Sequence, residues 1–510
     1  VRPTAVEALA AFVATPLDEV LGRHLRTDPR EAALSLFHEV VAEVPAYPAF
    51  LAEQGVDPAA VRTVADLQRV PPITKANYLR RWPLAALCRG GRLAPSDMIA
   101  VSSGSTGEPA FWPRSFADEL GIAARFEQVF RDSFAAHERR TLAVVCFALG
   151  TWVGGMFTAS CCRHLALKGY PVTVITPGNN KDEIFRVVAA LGPTFDQVVL
   201  LGYPPFLKDV VDTGILRGVA WPKLGVRLVT AGEVFSEEWR TLMAERIGST
   251  SPVYDFASLY GTADAGVLGS ETPLSIAARR FLASRPEAAR RVFGQDRLPT
   301  LVQYDPTSRF FEAESGSLLF TGDGGVPLLR YGILDTGGLV PYEAMIAQLR
   351  GFGFDAGHDG GPSKGPPNPP SPLLPRGGDR PLPFAFVFGR SDFTVSFHGA
   401  NVFPENVTVG LEQADIKEWV TGKFVMEVQR TADEDEILSI VVELAPGQVA
   451  SEARRAMAAR SIEEQLCRLN SEFKSYVPEG RRAPRVVLAP AGDPAWFPPG
   501  VKHRYTRKPA

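Results

Sequence analysis

The sequence predicts an α/β protein with a large N-terminal layered α/β domain that includes a β-rich subdomain, followed by a small mobile C-terminal α+β domain. Three observations predict it. Short apolar runs alternate with longer amphipathic stretches from about residue 95 to 230. From 301 to 345 the strands shorten and Gly-rich turns separate them. Beyond 389 the chain shows a strand and helix alternation of its own. The chain has 510 residues, 45% of them hydrophobic and 22% charged, which suits a large core plus a second domain.

Taken in order, residues 1 to about 90 read as helices, rich in Ala, Leu and Glu and broken at Pro and Gly. The N-terminal helix contains Glu7 and Asp18. Pro71-Pro72 ends one element and Ile73-Thr74-Lys75 opens the next. Thr141–Cys146, Pro171–Ile175, Gln197–Leu201 and Val226–Thr230 are buried strands with helical stretches between them, the pattern of a mostly parallel sheet. Gly316–Thr321 followed by Gly322–Gly325 is a strand and turn. Residues 351–380 are Gly/Pro-rich, bury little surface and read as a surface loop. Phe384–Phe388 is a short strand before Gly389-Arg390-Ser391-Asp392, so the domains divide as 1–388 and 389–510. In the second, Ile437–Leu444 reads as strand and Ser451–Leu469 as amphipathic helix.

Composition excludes several classes. A net charge of -3 gives no steering toward nucleic acid, and the basic run from Arg468 to Arg482 is mixed with Glu and Ser, as a solvated face would be. Cys88, Cys146, Cys161, Cys162 and Cys467 are odd in number and scattered. They make neither a disulfide framework nor a zinc site, and the adjacent pair suits core packing. No apolar run is long enough to span a bilayer, and no signal peptide is expected. A reducing cytoplasm is the expected setting, with no nucleic-acid or membrane partner.

Five segments can carry chemistry. Ser102-Ser103-Gly104-Ser105-Thr106-Gly107 follows a strand. Its backbone N–H groups and hydroxyls can wrap a phosphate, although the GxxxxGK[ST] pattern is absent. Tyr260-Gly261-Thr262-Ala263-Asp264 pairs a ring that can stack on a base with a carboxylate that can hold a metal. Arg330–Asp335 ends in a carboxylate able to accept from a ribose diol. Gly389–Asp392 and Gly399–Pro404 complete the set, each weak alone.

Their order raises the signal. SSGSTGEP, LVTAGEVFSEEWR, YGTAD, RYGILD, and GRSD followed by HGANVFPENV together resemble the acyl-adenylate-forming superfamily, and within it the phenylacetate–coenzyme A ligase family. ITKANYLRRWP resembles that family's ITKxDLRxxYP pattern, and the resemblance spans about 65–505. It implies ATP-dependent activation of a carboxylic acid to an acyl-adenylate, with pyrophosphate released, then transfer to coenzyme A.

The resemblance also assigns roles. Ser102, Ser103, Gly104, Ser105, Thr106 and Gly107 would cradle the phosphates, with Thr106 also catalytic. Ala231, Gly232 and Glu233 would line the adenine side, and Tyr260, beside Gly261 and Thr262, would stack on the purine. Asp264 would hold Mg²⁺, Asp335 the ribose hydroxyls, and Arg390 the ribose or phosphate. Asp392 would be the hinge. Lys502, in a segment like the family's terminal GKxxR, would be the catalytic lysine of adenylation. Three departures stand out: Glu108 where the family has Lys, Asp264 for Glu, and Gly332 and Leu334 for two arginines.

By analogy the acyl pocket draws on Trp152, Gly154, Tyr203, Phe206, Phe256 and Gly266, which suit a flat aryl acid and would equally serve core packing. The acceptor stays open: coenzyme A is the family default, and a carrier-protein phosphopantetheine arm acting in trans, or a nitrogen nucleophile, is the alternative. A catalytically inactive nucleotide-binding protein is the reading from another class, and homodimerisation is left open.

Overall fold

A computed structural model describes residues 3–94, 96–101, 110–150, 153–295, 297–355, 379–390, 395–398, 400–430, 436–470, 473–474, 477–498, 503 and 505–506. The account that follows is confined to them. The Gly/Pro-rich loop lies almost entirely outside these residues.

One eleven-stranded sheet organises the large domain. Five strands pair in parallel, in the order Val172–Ile175, Thr141–Val145, Gln197–Gly202, Val226–Ala231 and Phe256–Thr262. Their apolar runs follow from burial on both faces. Leu142 and Val144 face one core with Val198 and Leu200, while Ala143 and Val145 face another with Val199 and Leu201. This is the period-2 alternation of a strand between two helical layers.

At Phe256–Thr262 the direction changes. Gly266–Ser270 returns antiparallel, followed in space by Thr300–Gln303, Phe384–Arg390, Leu328–Val340, Ser317–Gly322 and Phe310–Glu314, all antiparallel. The β-rich segment is therefore the antiparallel half of the same sheet, continuous with the parallel half. The YGTAD turn sits where one regime becomes the other, and the parallel strands all point their carboxyl ends to that side of the sheet. Such strand ends are where open α/β sheets bind ligands.

The N-terminal residues form several short helices. Pro16 separates Ala5–Ala14 from Leu17–Arg26, so Glu7 and Asp18 lie on different helices. Phe37, Phe50 and Tyr78 pack with Phe320 and Tyr331 beneath the antiparallel half. Arg380 fastens this region by pairing with Asp18 at 2.8 Å and Asp132 at 2.5 Å. His24 and Arg125 both reach Asp305 Oδ2, at 2.6 and 3.0 Å. Although burial opposes ionisation, these contacts hold the Asp305 carboxyl far below the usual range. Cys161 and Cys162 are both fully buried on helix Val153–Leu167, as core residues.

Residues from 395 onward form a separate core. Hairpin Val395–Phe397/Ala400–Val402 and helix Pro404–Leu411 precede strands Val420–Arg430 and Glu436–Leu444. Helix Glu452–Leu469 crosses to strand Arg485–Ala489, parallel to Glu436–Leu444. The chain end then returns: Met426 N donates to Tyr505 O at 2.7 Å, and Thr506 bridges Met426. No helix among the described residues is long and apolar enough to cross a membrane.

Candidate active site

A cavity of ≈ 990 Å³ opens at the carboxyl ends of the parallel strands, and the C-terminal residues cover it. Gly232 follows the strand ending at Ala231 with φ +82°, a conformation favouring glycine. A Cβ there would meet the Tyr203 ring at 2.7 Å, so only glycine lets this turn pass beneath the aromatic. The next residue, Glu233, accepts a hydrogen bond from the hydroxyl of Tyr505. Ala231, Gly232, Glu233 and Tyr505 all line the cavity.

Tyr260, at the end of its parallel strand, stacks on Phe311 with ring centroids 6.4 Å apart and an interplanar angle of 24°. Its hydroxyl donates to Asp335 Oδ2 at 2.6 Å, and burial together with that carboxylate pushes the Tyr260 pKa well above its usual value. Asp335 lies on the long strand Leu328–Val340, where its register partner is Arg390. Leu334, just before it, has φ +65° and is 49% exposed at the cavity rim. A branched side chain in the left-handed region is a strained arrangement, and such strain gathers at functional sites.

Asp264 is buried, and its Oδ2 accepts from the Tyr331 hydroxyl at 2.5 Å while Lys75 Nζ stands 3.2 Å away. Arg114 fixes the turn by donating to the carbonyls of Ala263 and Asp264, at 2.8 and 2.9 Å. Among the described residues no group of three His, Cys, Asp or Glu could hold a metal. Among the described residues Asp264 fits Mg²⁺ as a single ligand, with other oxygens supplied by nucleotide and water, a common arrangement for that hard ion. A divalent cation at Oδ2 would further require Lys75 to withdraw.

The apolar end of the cavity is lined by Phe126, Phe147, Phe157, Tyr203, Gly154 and Gly266. Phe147 and Tyr203 meet edge to face, with centroids 5.0 Å apart. A Cβ on Gly154 would lie 3.7 Å from both the Phe147 ring and the Tyr203 hydroxyl. Cys146 borders the same space, and burial pushes its thiol up to about 12, so it acts as an apolar wall. Phe206 also lines the cavity. Phe256 does not. It is 1% exposed at the start of its strand, in the core beside Arg240, so its expected place in the pocket is corrected. Thr262 Oγ1 caps the turn by accepting from Ala265 N at 3.1 Å.

Ser102, Ser103, Gly104, Ser105, Thr106, Gly107, Glu108, Trp152, Asp392 and Lys502 lie outside the described residues, as does the side chain of Arg390. The strands Met98–Val101 and Phe111–Arg114 that flank the phosphate-loop segment pair antiparallel, and Val101 and Ala110 line the cavity.

The small domain docks through specific contacts. Arg297 pairs with Glu405 at 3.2 Å and lies over the Phe403 ring at 3.7 Å. Lys208 donates to the Val420 carbonyl at 2.8 Å, and Arg246 reaches Glu418 at 2.6 Å. Ser236 N donates to Glu412 at 3.2 Å. Burial raises the Glu412 carboxyl to about 8 against that hydrogen bond, with Glu238 adding repulsion. Reading the sequence did not single out Lys75, Tyr331, Glu405, Glu412 or Tyr505 as site residues. ITKANYL was the available signal for Lys75, RYGILD for Tyr331 and HGANVFPENV for Glu405, while Glu412 carries no local mark.

No family model matches the chain. A phenylacetate–coenzyme A ligase from Thermus thermophilus is 23% identical over 448 residues, covering 81% of this chain and 87% of the relative. Among solved structures, a 2-hydroxyisobutyryl-CoA ligase in the postadenylation state with R3-HIB-AMP matches with a TM-score of 0.64 at 13% identity, over 94% of this chain and 89% of that one. The same ligase with 2-HIB-AMP and CoA in the thioesterification state gives 0.51 at 14% identity, over 100% and 94%. The chain thus shares its fold with these CoA ligases and is similar in sequence to a phenylacetate–coenzyme A ligase over most of both chains.

Proposed function

We propose that this protein activates a carboxylic acid, preferably aromatic, as its acyl-adenylate at the expense of ATP and then transfers the acyl group to coenzyme A. The observation that carries the reading is one cavity in which the AGE, YGTAD and RYGILD segments converge with an end lined by aromatic side chains, under the segment that carries Tyr505. The Thermus relative's name, a phenylacetate–coenzyme A ligase, supports both the aryl acid and the thiol acceptor.

In the first half-reaction a carboxylate oxygen attacks the α-phosphorus of ATP. The bond from that phosphorus to the bridging oxygen breaks, and pyrophosphate leaves. In the second, the coenzyme A sulfur attacks the acyl carbon, and AMP leaves. Tyr260 would stack on the purine, Asp335 would accept from the ribose hydroxyls, and Ala231–Glu233 would border the base. Arg390 would reach ribose or phosphate, and Ser102–Gly107 with Thr106 would wrap the phosphates. Asp264 would be the one protein ligand of Mg²⁺, which when bound screens phosphate charge. Lys502 would place a positive charge between the two anionic reactants, and Asp392 would be the pivot between half-reactions.

Pyrophosphate release measured across a panel of aryl, heteroaryl and aliphatic acids tests the first step. Preference for long aliphatic chains would overturn the aryl assignment. Mass spectrometry with coenzyme A present tests the acceptor: an adenylate without a thioester would point to a carrier thiol or a nitrogen nucleophile. Nucleotide binding without turnover on any acid would mark a non-catalytic protein.

A further inference from the structure

The aromatic end of the cavity carries two hydroxyls, those of Tyr203 and Thr158. Among the described residues neither has a hydrogen-bond partner. The other tyrosines that line the cavity are committed: Tyr260 donates to Asp335, Tyr331 to Asp264 and Tyr505 to Glu233. A threonine on a helix can return its hydroxyl to a carbonyl one turn back. Thr27 does so, donating to Arg23 O at 3.1 Å. Thr158 lies inside helix Val153–Leu167 and is only 4% exposed, yet it makes no such bond. Its hydroxyl is left to the cavity.

Gly154 brings the two hydroxyls to one place. A Cβ there would lie 3.7 Å from the Tyr203 hydroxyl, and Thr158 follows Gly154 by one helical turn, on the same face. The Tyr203 ring is held on two sides, by the Gly232 turn and by the edge of Phe147, so its hydroxyl has a fixed position. Burial and the nearby Glu233 push the Tyr203 pKa up, so the group stays neutral and can both donate and accept. The same Glu233 carboxylate disfavours an anion beside Tyr203. The remaining walls, Phe126, Phe147, Phe157 and Cys146, offer no competing partner. Water can serve both hydroxyls while the cavity holds solvent. A plain aromatic ring would displace that water and leave them unpaired, which is costly. A ring carrying a neutral donor or acceptor would restore the lost hydrogen bonds.

Resting on the proposed adenylating function, we infer that the acid recognised is an aryl acid bearing a neutral hydrogen-bonding substituent, a hydroxyl or an amino group, which Tyr203 and Thr158 engage. These two residues then determine specificity at the end of the acid remote from its carboxylate. A methyl group of similar size fills the same space but pairs with neither hydroxyl. Pockets built to hydrogen-bond a ligand reject the analogue lacking the group far more strongly than size alone allows.

Pyrophosphate release by the parent protein, compared across benzoic and phenylacetic acids and their ortho, meta and para hydroxy, amino and methyl derivatives, tests this. At least one hydroxy or amino isomer is expected to exceed its methyl counterpart roughly tenfold or more in kcat/KM. Tyr203→Phe and Thr158→Val keep the side-chain shape and remove one hydroxyl each. Each should lower that polar-to-methyl ratio about fivefold or more, whatever happens to the absolute rates. A parent for which no polar isomer exceeds its methyl counterpart would overturn the inference. So would variants that lose rate equally on every acid and keep the ratio, because that is the mark of a structural role. Thermal melting shows whether each variant is folded, and the parent series decides without them. Should the parent release no pyrophosphate with any acid, the functional reading fails, and calorimetric binding of the same acids decides this inference by itself. A polar isomer bound roughly tenfold tighter than its methyl counterpart sustains it, and no such preference overturns it.

Discussion

The hydroxyl of Tyr260 donates to Oδ2 of Asp335 at 2.6 Å, joining the end of the last parallel strand to the long antiparallel strand across the sheet. The bond fixes the tilt of a ring proposed to stack on adenine and the direction of a carboxylate proposed to hold ribose. Tyr260→Phe keeps the ring and removes the bond. A hydrogen bond to a charged group is worth about 1.5–3 kcal/mol, so ATP and AMP should both weaken roughly tenfold. Titration of both nucleotides by calorimetry checks this. Loss confined to ATP would place the effect at the phosphates instead.

Glu412 gives domain docking a pH dependence. Docked, its carboxyl titrates near 8, because burial and the neighbouring Glu238 disfavour the anion, and the Ser236 hydrogen bond and Arg279 only partly offset this. Undocked, a glutamate titrates at about 4.3. The docked state therefore holds one more proton between those values. Its stabilisation is complete below about 4.3, falls as pH rises, and is lost above about 8. Resonance energy transfer between dyes on the two domains should fall between pH 6 and 8.5 in the parent, and Glu412→Gln should flatten that fall. An unchanged profile in the variant would assign it to another group.

Gly154 is proposed to set the width of the acyl slot. Its Cβ position is 3.7 Å from Phe147 and the Tyr203 hydroxyl, so alanine fits and a branched side chain would fill the space between them. Gly155, where a Cβ would lie 2.3 Å from the Ala148 carbonyl, admits no such change. Gly154→Val should lower kcat/KM for aryl acids at least roughly tenfold, within the range of about 1–3 kcal/mol that one methylene's fit confers. Acids of two or three carbons should change far less, and ATP affinity should hold. A uniform fall across acids would remove Gly154 from the slot.

The parallel strands were legible because burial on both faces leaves an apolar run that needs no partner to be seen. The sheet's other half was not, because its order depends on pairings between remote segments. Thr300–Gln303, for example, pairs with Phe384–Val387, across the entire Gly/Pro-rich loop. The motifs were legible as strings, whereas the groups that complete them come from far along the chain. Tyr505 lies 272 residues from Glu233, and Tyr331 lies 67 from Asp264. Phe256 misled because an aromatic beside a motif looks like a pocket wall, while the strand's alternation turns it into the core beside Arg240.

The chain end carries the prediction with the widest reach. Lys502 lies outside the described residues, but its neighbours are anchored. His503 Nε2 donates to the Phe424 carbonyl at 2.7 Å, and burial pushes the imidazole down to about 4, so it is neutral at physiological pH. Tyr505 donates to Glu233 across the domain boundary, and both residues line the cavity. Lys502 immediately precedes His503 in the sequence, and Arg504 stands between His503 and Tyr505. During adenylation, carboxylate and α-phosphate are both anionic, so a placed positive charge lowers the barrier directly. During thioester formation the adenylate already exists, and a different face of the small domain, near Gly399, is expected to serve. Lys502→Ala should lower adenylate formation about 100-fold or more, the scale of losing one preorganised electrostatic contact. Given pre-made acyl-adenylate, the same variant should transfer to coenzyme A at near the parent rate. Tyr505→Phe removes the tether while keeping the charge, so it should slow adenylation less than Lys502→Ala does. Equal damage to both half-reactions in Lys502→Ala, or none to the first, would remove the lysine from this role. A Tyr505→Phe defect as large as that of Lys502→Ala would show that anchoring the chain end, rather than the charge it carries, limits the first step.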